Sequence, residues 1–277
     1  MDSLPNFLYI GAAKAGSSWL YSVLSEHPEV YIPFAKRTYF FDRYYERGMH
    51  WYRSHFRTAP RQRAVGEICH SYFLSAETAR RIRADLPDVK LICCLRNPLD
   101  RLVSAYLYER DHTTQGRLSF SDFADQNTVL QKSDYAENLL PFFELFPRQQ
   151  ILVLFYDDLC ADAGAFYSRI CQFLEIDPTF VPEVLDKRVW ATRRARFPFL
   201  TRLAWAYADA RPERAAKEST KGRLAFLKLL DRILYTDQKP RVPLDPAVID
   251  RLRSRFLGAY AELERCIGRP VPDAWRR

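Results

Sequence analysis

The chain has 277 residues, 48% hydrophobic and 27% charged, and 42 Lys and Arg against 34 Asp and Glu give it a net charge of +8. This composition excludes a disordered chain and allows one sizeable core; the positive balance favours an anionic partner, with nucleic acid, polyanions and nucleotide phosphates all open. No apolar run approaches the roughly 20 residues that span a bilayer, no signal peptide precedes the first strand, and Cys69, Cys93, Cys94, Cys160, Cys171 and Cys266 lack metal-ligand spacing, so a cytoplasmic protein with structural thiols is expected.

Phe7–Ile10 reads as a buried strand, Gly11 to Gly16 as a tight loop, and Ser17–Ser25 as a helix closed by His27-Pro28. Strand, glycine-bounded loop and helix start form an anion cradle, because backbone N–H groups and the positive helix end converge on one point. A Walker A loop ends in Gly-Lys-[Ser/Thr]. Here the lysine, Lys14, lies inside the loop, which points away from a Mg-dependent NTPase and toward another phosphate-bearing donor. Val30–Ile32 is a short extended piece, an aromatic segment runs from Tyr39 to Phe56, and Ala64–Glu67 reads as the end of a strand. Ser75 is placed to cap a helix to Asp85, and Val89–Leu95 has the unbroken apolar pattern of a strand covered on both faces. Pro98 opens a helix to about Tyr108. Tyr135–Phe146 reads as helix, Ile151–Tyr156 as strand and Ala163–Leu174 as helix.

From Trp190 to about Arg241 basic and aromatic residues alternate, which reads as a basic, lid-like helical excursion rather than a second domain. Asp245-Pro246 then opens an amphipathic helix to about Ile267, expected to pack back on the sheet. Alternating strands and helices give an α/β fold: a P-loop-like central parallel sheet flanked by helices, as one domain over 1–277, with the basic excursion before the C-terminal helix. Ligands of such sheets gather at the carboxyl ends of strands, where Gly11, Glu67 and Arg96 all fall.

Three segments carry chemistry: Gly11-Ala-Ala-Lys-Ala-Gly-Ser-Ser18, Leu95-Arg-Asn-Pro-Leu-Asp-Arg-Leu-Val-Ser-Ala-Tyr106, and Ala64-Val-Gly-Glu-Ile-Cys-His-Ser-Tyr-Phe73. Together they resemble the sulfotransferases that use 3′-phosphoadenosine 5′-phosphosulfate (PAPS), nearest the heparan-type glycan sulfotransferases and their bacterial relatives. The first is similar to the family's 5′-phosphosulfate loop. The resemblance implies that Lys14, Ala15, Gly16, Ser17 and Ser18 hold that end of the donor, with Lys14 against the bridging oxygen where charge develops. The second follows the 3′-phosphate pattern, implying Arg96 and Ser104 as its ligands; read alone, it is better explained as an Asn97 helix cap beside a surface arginine, and the first segment reverses that preference. The third implies Glu67 as general base, with His70 as a second candidate or a wall residue, and it departs from glycan-modifying relatives in having Ile68 where they place a lysine.

Lys36, before Phe40-Phe41, either contacts a donor or acceptor anion or is a solvated surface lysine. Two basic segments compete for the adenosine end. Arg194 and Arg196 are favoured over Lys221-Gly-Arg223. The reading implied is a PAPS-dependent transfer, without metal, to a hydroxyl of a glycan, glycolipid or secondary metabolite, with no nucleic-acid partner and no membrane span. Its rivals are a small-molecule kinase with a degenerate P-loop and a non-enzymatic anion or nucleic-acid binder.

Overall fold

The computed structural model describes residues 4–33, 36–56, 61–112, 118–186 and 244–277, together with the backbone of 194–195 and 235–236. Five strands form one parallel sheet: β1 (Phe7–Gly11), β2 (Val30–Tyr31), β3 (Ala64–Ile68), β4 (Lys90–Leu95) and β5 (Ile151–Phe155), in the order β2-β3-β1-β4-β5. Phe7, Leu8, Tyr9 and Ile10 are buried, as are Leu91 to Leu95, because helices cover both faces.

After β1 the chain crosses toward β2 through α1 (Ser17–Glu26); after β3 it crosses the other way, over β1, through α4 (Ala76–Asp85) to β4. Right-handed crossovers in opposite directions put these helices on opposite faces. α8 (Tyr135–Leu145) leads into β5 and packs on α4, while α10 (Ala163–Leu174) follows β5 and meets α1, where Phe166 and Trp19 stack edge to face at 5.6 Å. The order of strands reverses at β1, so the loops after β1, β3 and β4 open onto one crevice.

Local signals account for most boundaries. The Ser75 side chain accepts from Thr78 N to start α4, and Asp245 accepts from Ala247 N to start the last helix, α11 (Pro246–Ile267), which Gly268 ends at φ 73. Gly66 is required by packing, because a Cβ there would stand 2.2 Å from the Phe7 carbonyl oxygen on the neighbouring strand.

Two sequence expectations need correction, the end of β5 and the seat of the last helix. β5 ends at Phe155, and Tyr156 starts a helix, α9 (Tyr156–Ala161). The aromatic segment forms two short helices, α2 (Phe40–Arg43) and α3 (Gly48–Arg53), joined by a 3-10 turn, too brief for a periodicity to show. α11 packs chiefly on α8 and on α5 (Pro98–His112), and the tail beyond it meets β5 through Trp275 and Arg269. The basic helical excursion expected over about 190–241 lies outside the described residues, apart from the backbone of β6 (Arg194–Ala195), which pairs antiparallel with β7 (Tyr235–Thr236). The rest of the chain between α5 and α8 includes α6 (Phe120–Ala124) and α7 (Asn127–Leu130).

Candidate functional site

The loop between β1 and α1 is fixed from several sides. Ala12 N donates to Cys94 O on β4 (2.9 Å), and the Tyr9 hydroxyl donates to Ala12 O (2.9 Å). Gly16 caps α1 in the left-handed region at φ 89, which a side chain would strain. Lys14 itself stands at φ 67, so a non-glycine residue carries a left-handed conformation at the loop's centre. Ala15 is buried beneath the loop, Ser17 is buried and Ser18 half-buried at the first turn of α1. The first N–H groups of α1 lack intrahelical partners and face the crevice end of the sheet.

Two cations close on this loop. Lys14 holds its Nζ 4.4 Å from the centre of the Tyr108 ring on α5. Burial, reinforced by repulsion from Arg96 and opposed by Glu109, pulls its pKa down to about 8. Arg96, the residue after β4, donates from Nη1 to Lys14 O (3.2 Å) and lays its guanidinium 4.8 Å from the Tyr156 ring centre, while its Nε is buried without a hydrogen-bond partner. Asn97 accepts from Leu99 N and Asp100 N, so the Asn97 cap and the inward Arg96 coexist. Ser104 is half-buried on α5, about two turns from the helix start. Arg194 falls on β6 with only its backbone described, and Arg196, Lys221 and Arg223 lie outside the described residues.

Glu67 is 0% exposed, and its acceptor positions are filled. Oε2 accepts from Thr38 N and from the Thr38 hydroxyl, both at 2.8 Å; Oε1 accepts from the hydroxyls of Tyr72 (2.6 Å) and Tyr52 (3.0 Å). Desolvation raises its pKa and these four bonds hold it down, with desolvation the larger. The His70 Nε2 accepts from Arg37 Nη1 (3.0 Å), which places the ring proton on Nδ1. Burial, with the nearby positive charges of Arg37, Lys36, Lys132 and Lys14, pushes its pKa down to about 3. Both candidate bases therefore have their lone pairs engaged.

Three residues that sequence reasoning passed over or left open belong to this region. Lys36 reaches across to the loop and donates from Nζ to the Ser18 hydroxyl (3.2 Å). Arg101, in the first turn of α5, is 0% exposed, held by the Ser133 hydroxyl (2.7 Å) and Val129 O (3.1 Å), and adds positive potential behind Arg96 and Lys14. Tyr156, which the sequence offers only as the end of a strand, is the ring under Arg96. No spacing rule could have found Arg101 or Tyr156, since each meets the site through packing of a different element. Among the described residues no ion pair links Lys14, Lys36, Arg37 or Arg96 to a carboxylate. These four cations with no anionic partner, and the orphaned buried Nε of Arg96, fit a polyanionic ligand.

A family model described as "Sulfotransferase domain" matches residues 4–194. The chain is 31% identical over 228 residues to human heparan sulfate glucosamine 3-O-sulfotransferase 6, covering 79% of this chain and 64% of that one, so it spans less than two thirds of that relative's length. Among solved structures, a sulfotransferase from Alicyclobacillus acidocaldarius aligns at TM-score 0.69 and 24% identity, over 99% of this chain and 100% of that one. Mouse sulfotransferase SULT7A1 complexed with PAP aligns at TM-score 0.54 and 16% identity, over 95% and 87%. Both are likenesses of fold.

Proposed function

Because the chain belongs to the PAPS-dependent sulfotransferase family, we propose that it transfers the sulfuryl group of PAPS to a hydroxyl of a glycan, glycolipid or secondary-metabolite acceptor. The observation that carries this reading is the unbalanced positive cluster of Lys14 and Arg96 at the switch point of the sheet. When bound, the donor supplies a sulfuryl group on a phosphosulfate bridge, whose cleavage leaves charge on a phosphate oxygen. Lys14 meets that charge, and its ammonium regains in the complex what burial costs it in the free protein. The N–H groups at the start of α1, with the Ser17 and Ser18 hydroxyls, orient the phosphosulfate oxygens, and Arg96 with Ser104 holds the 3′-phosphate. Arg194 and Arg196 are proposed for the adenosine end.

The resemblance assigns the acceptor's proton to Glu67. That role requires a tyrosine hydroxyl to give way to the acceptor, since all four positions on the carboxylate are occupied. The bonding supports an anchoring role better. The hydroxyl becomes strongly acidic as its oxygen bonds to sulfur, so the proton can leave late and to water.

For the acceptor, arginine guanidinia lie over aromatic faces along the segment after Lys36: Arg43 on Tyr39 at 4.5 Å, and Arg47 on Tyr44 and Trp51 at 4.9 Å each. Such pairs offer flat apolar faces next to positive charge, which supports an acceptor with a ring and an acidic group. Calorimetry with 3′-phosphoadenosine 5′-phosphate (PAP) and with ATP, each with and without Mg, tests the reading. PAP should bind tightly without metal and lose affinity in Lys14→Ala and Arg96→Ala. A preference for Mg-ATP would sink it in favour of a kinase.

A further inference from the structure

Lys36 begins a turn that is held more firmly than a surface loop needs. Lys36 and Tyr39 stand in the left-handed region at φ 60 and 56, a costly conformation for residues with side chains. Between them Thr38 gives both its N–H and its hydroxyl to Glu67. Lys36 N donates to Pro33 O (2.8 Å), and Ile68 N on β3 donates to Lys36 O (3.0 Å). The turn is thus pinned to the end of β3 through backbone and carboxylate alike. One consequence is the position of the Lys36 ammonium, 3.2 Å from the Ser18 hydroxyl and 5.7 Å from the Tyr21 ring centre. It joins a site that already contains Lys14 and Arg96, and among the described residues it has no carboxylate partner.

We propose that Lys36 is a second cation of the donor site, supplied from outside the loop, which binds the 5′-phosphate end of the nucleotide together with Ser18, and that Glu67 is the positioning residue that holds it there through Thr38. This rests on the PAPS reading above. It assigns Glu67 an effect on donor affinity, whereas a base would affect turnover alone. The surroundings of Lys36 agree: burial first, then Arg37 on its own turn and Lys14 on the facing loop, with Cys69 opposing, bring its pKa down to about 7. A bound phosphate reverses that balance and draws a proton onto the amine.

A groove of about 220 Å³ at the opposite end of the sheet includes Lys90 and Glu175, which pair with each other at 2.8 Å.

The test is calorimetry of the full chain with PAP at pH 8.5, in buffers of different ionisation enthalpy. Wild type should take up more than one proton per PAP, because both Lys36 and Lys14 are largely neutral there. Lys36→Met should bind about 10–100-fold more weakly and take up about one proton fewer, while its affinity for adenosine 3′-phosphate, which lacks the 5′ group, stays that of wild type. Without ligand the variant should melt at or above wild type, since the change replaces an amine whose protonation burial and the neighbouring cations oppose with an apolar side chain. Unchanged PAP affinity and proton uptake would overturn the role of Lys36. So would a lowered melting temperature with equal losses for both nucleotides, which would mark it as structural. Wild type that fails to bind PAP at all would overturn the PAPS reading itself.

Discussion

Lys14 and Glu67 lie on neighbouring strand ends and are charged groups in opposite circumstances. The Lys14 ammonium is buried among like charges and gains from a ligand that arrives; the Glu67 carboxylate is buried among donors and is complete without one. Their substitutions should therefore differ in kind. Lys14→Ala should leave folding intact, lower PAP affinity by on the order of 10–100-fold and depress turnover further, as calorimetry and steady-state rates would register. Glu67→Gln should lower stability by about 1–3 kcal/mol, because the Thr38 N–H then faces an amide that cannot satisfy every donor. It should also weaken PAP binding through Lys36. If instead Glu67→Gln keeps the melting temperature and PAP affinity of wild type and loses only turnover, Glu67 is the base. His70→Ala should retain most of its turnover, since the ring is neutral and its Nε2 is already bonded to Arg37; a loss as complete as that of Lys14→Ala would make it the proton acceptor.

The elements hold these residues through contacts that are easy to break one at a time. The β1–β3 pairing sets Leu8 beside Glu67, and it is close enough only because Gly66 has no side chain against the Phe7 carbonyl. Gly66→Ala should destabilise the fold by about 1–3 kcal/mol or more, as overpacking against a backbone atom that cannot swing away, and denaturant titration would measure it. α11 is a milder case. Its Asp245 cap lies on an exposed turn, so Asp245→Ala should cost about 1 kcal/mol, or about 2–4 °C in a chain of this size, without a change in PAP affinity. A larger loss there would mean that α11 carries more than the helical layer it covers.

Across the whole molecule the net charge of +8 is an average that hides where the charge does chemical work. Many exposed basic residues are paired, as Arg251 is with Asp125 and Arg255 with Asp134, and contribute little. At the crevice, Lys14, Lys36 and Arg96 have no carboxylate partner among the described residues. With folded pKa values near 7 for Lys36 and 8 for Lys14, both below the free-lysine value, protonation of these amines costs stability in the free protein as pH falls below about 10. The same amines must be protonated to hold a phosphate. PAP affinity should accordingly fall as pH rises, by on the order of a hundred-fold between pH 7 and 9, after its phosphates are fully ionised. PAP at a hundredfold excess over Kd should raise the melting temperature by about 5–10 °C, more than ATP at the same concentration. A flat pH dependence would show that neither lysine meets the ligand.

The amino-acid sequence by itself determined the strand–loop–helix cradle around Lys14, the α/β order of elements and the positions of Glu67 and Arg96 at strand ends, because each depends on neighbours within a few residues: an apolar run, a glycine, a cap. α10 and α11 could be read to the residue for the same reason, each having a capping aspartate before an amphipathic run. What only the tertiary structure decided depends on residues brought together from afar. Lys36 crosses to Ser18, Arg96 rests on Tyr156, and Lys14 lies over Tyr108. The enclosure of Glu67, the candidate base, by Thr38, Tyr52 and Tyr72 is likewise tertiary, since burial and the number of donors around a charge are properties of packing, which spacing along the chain does not record.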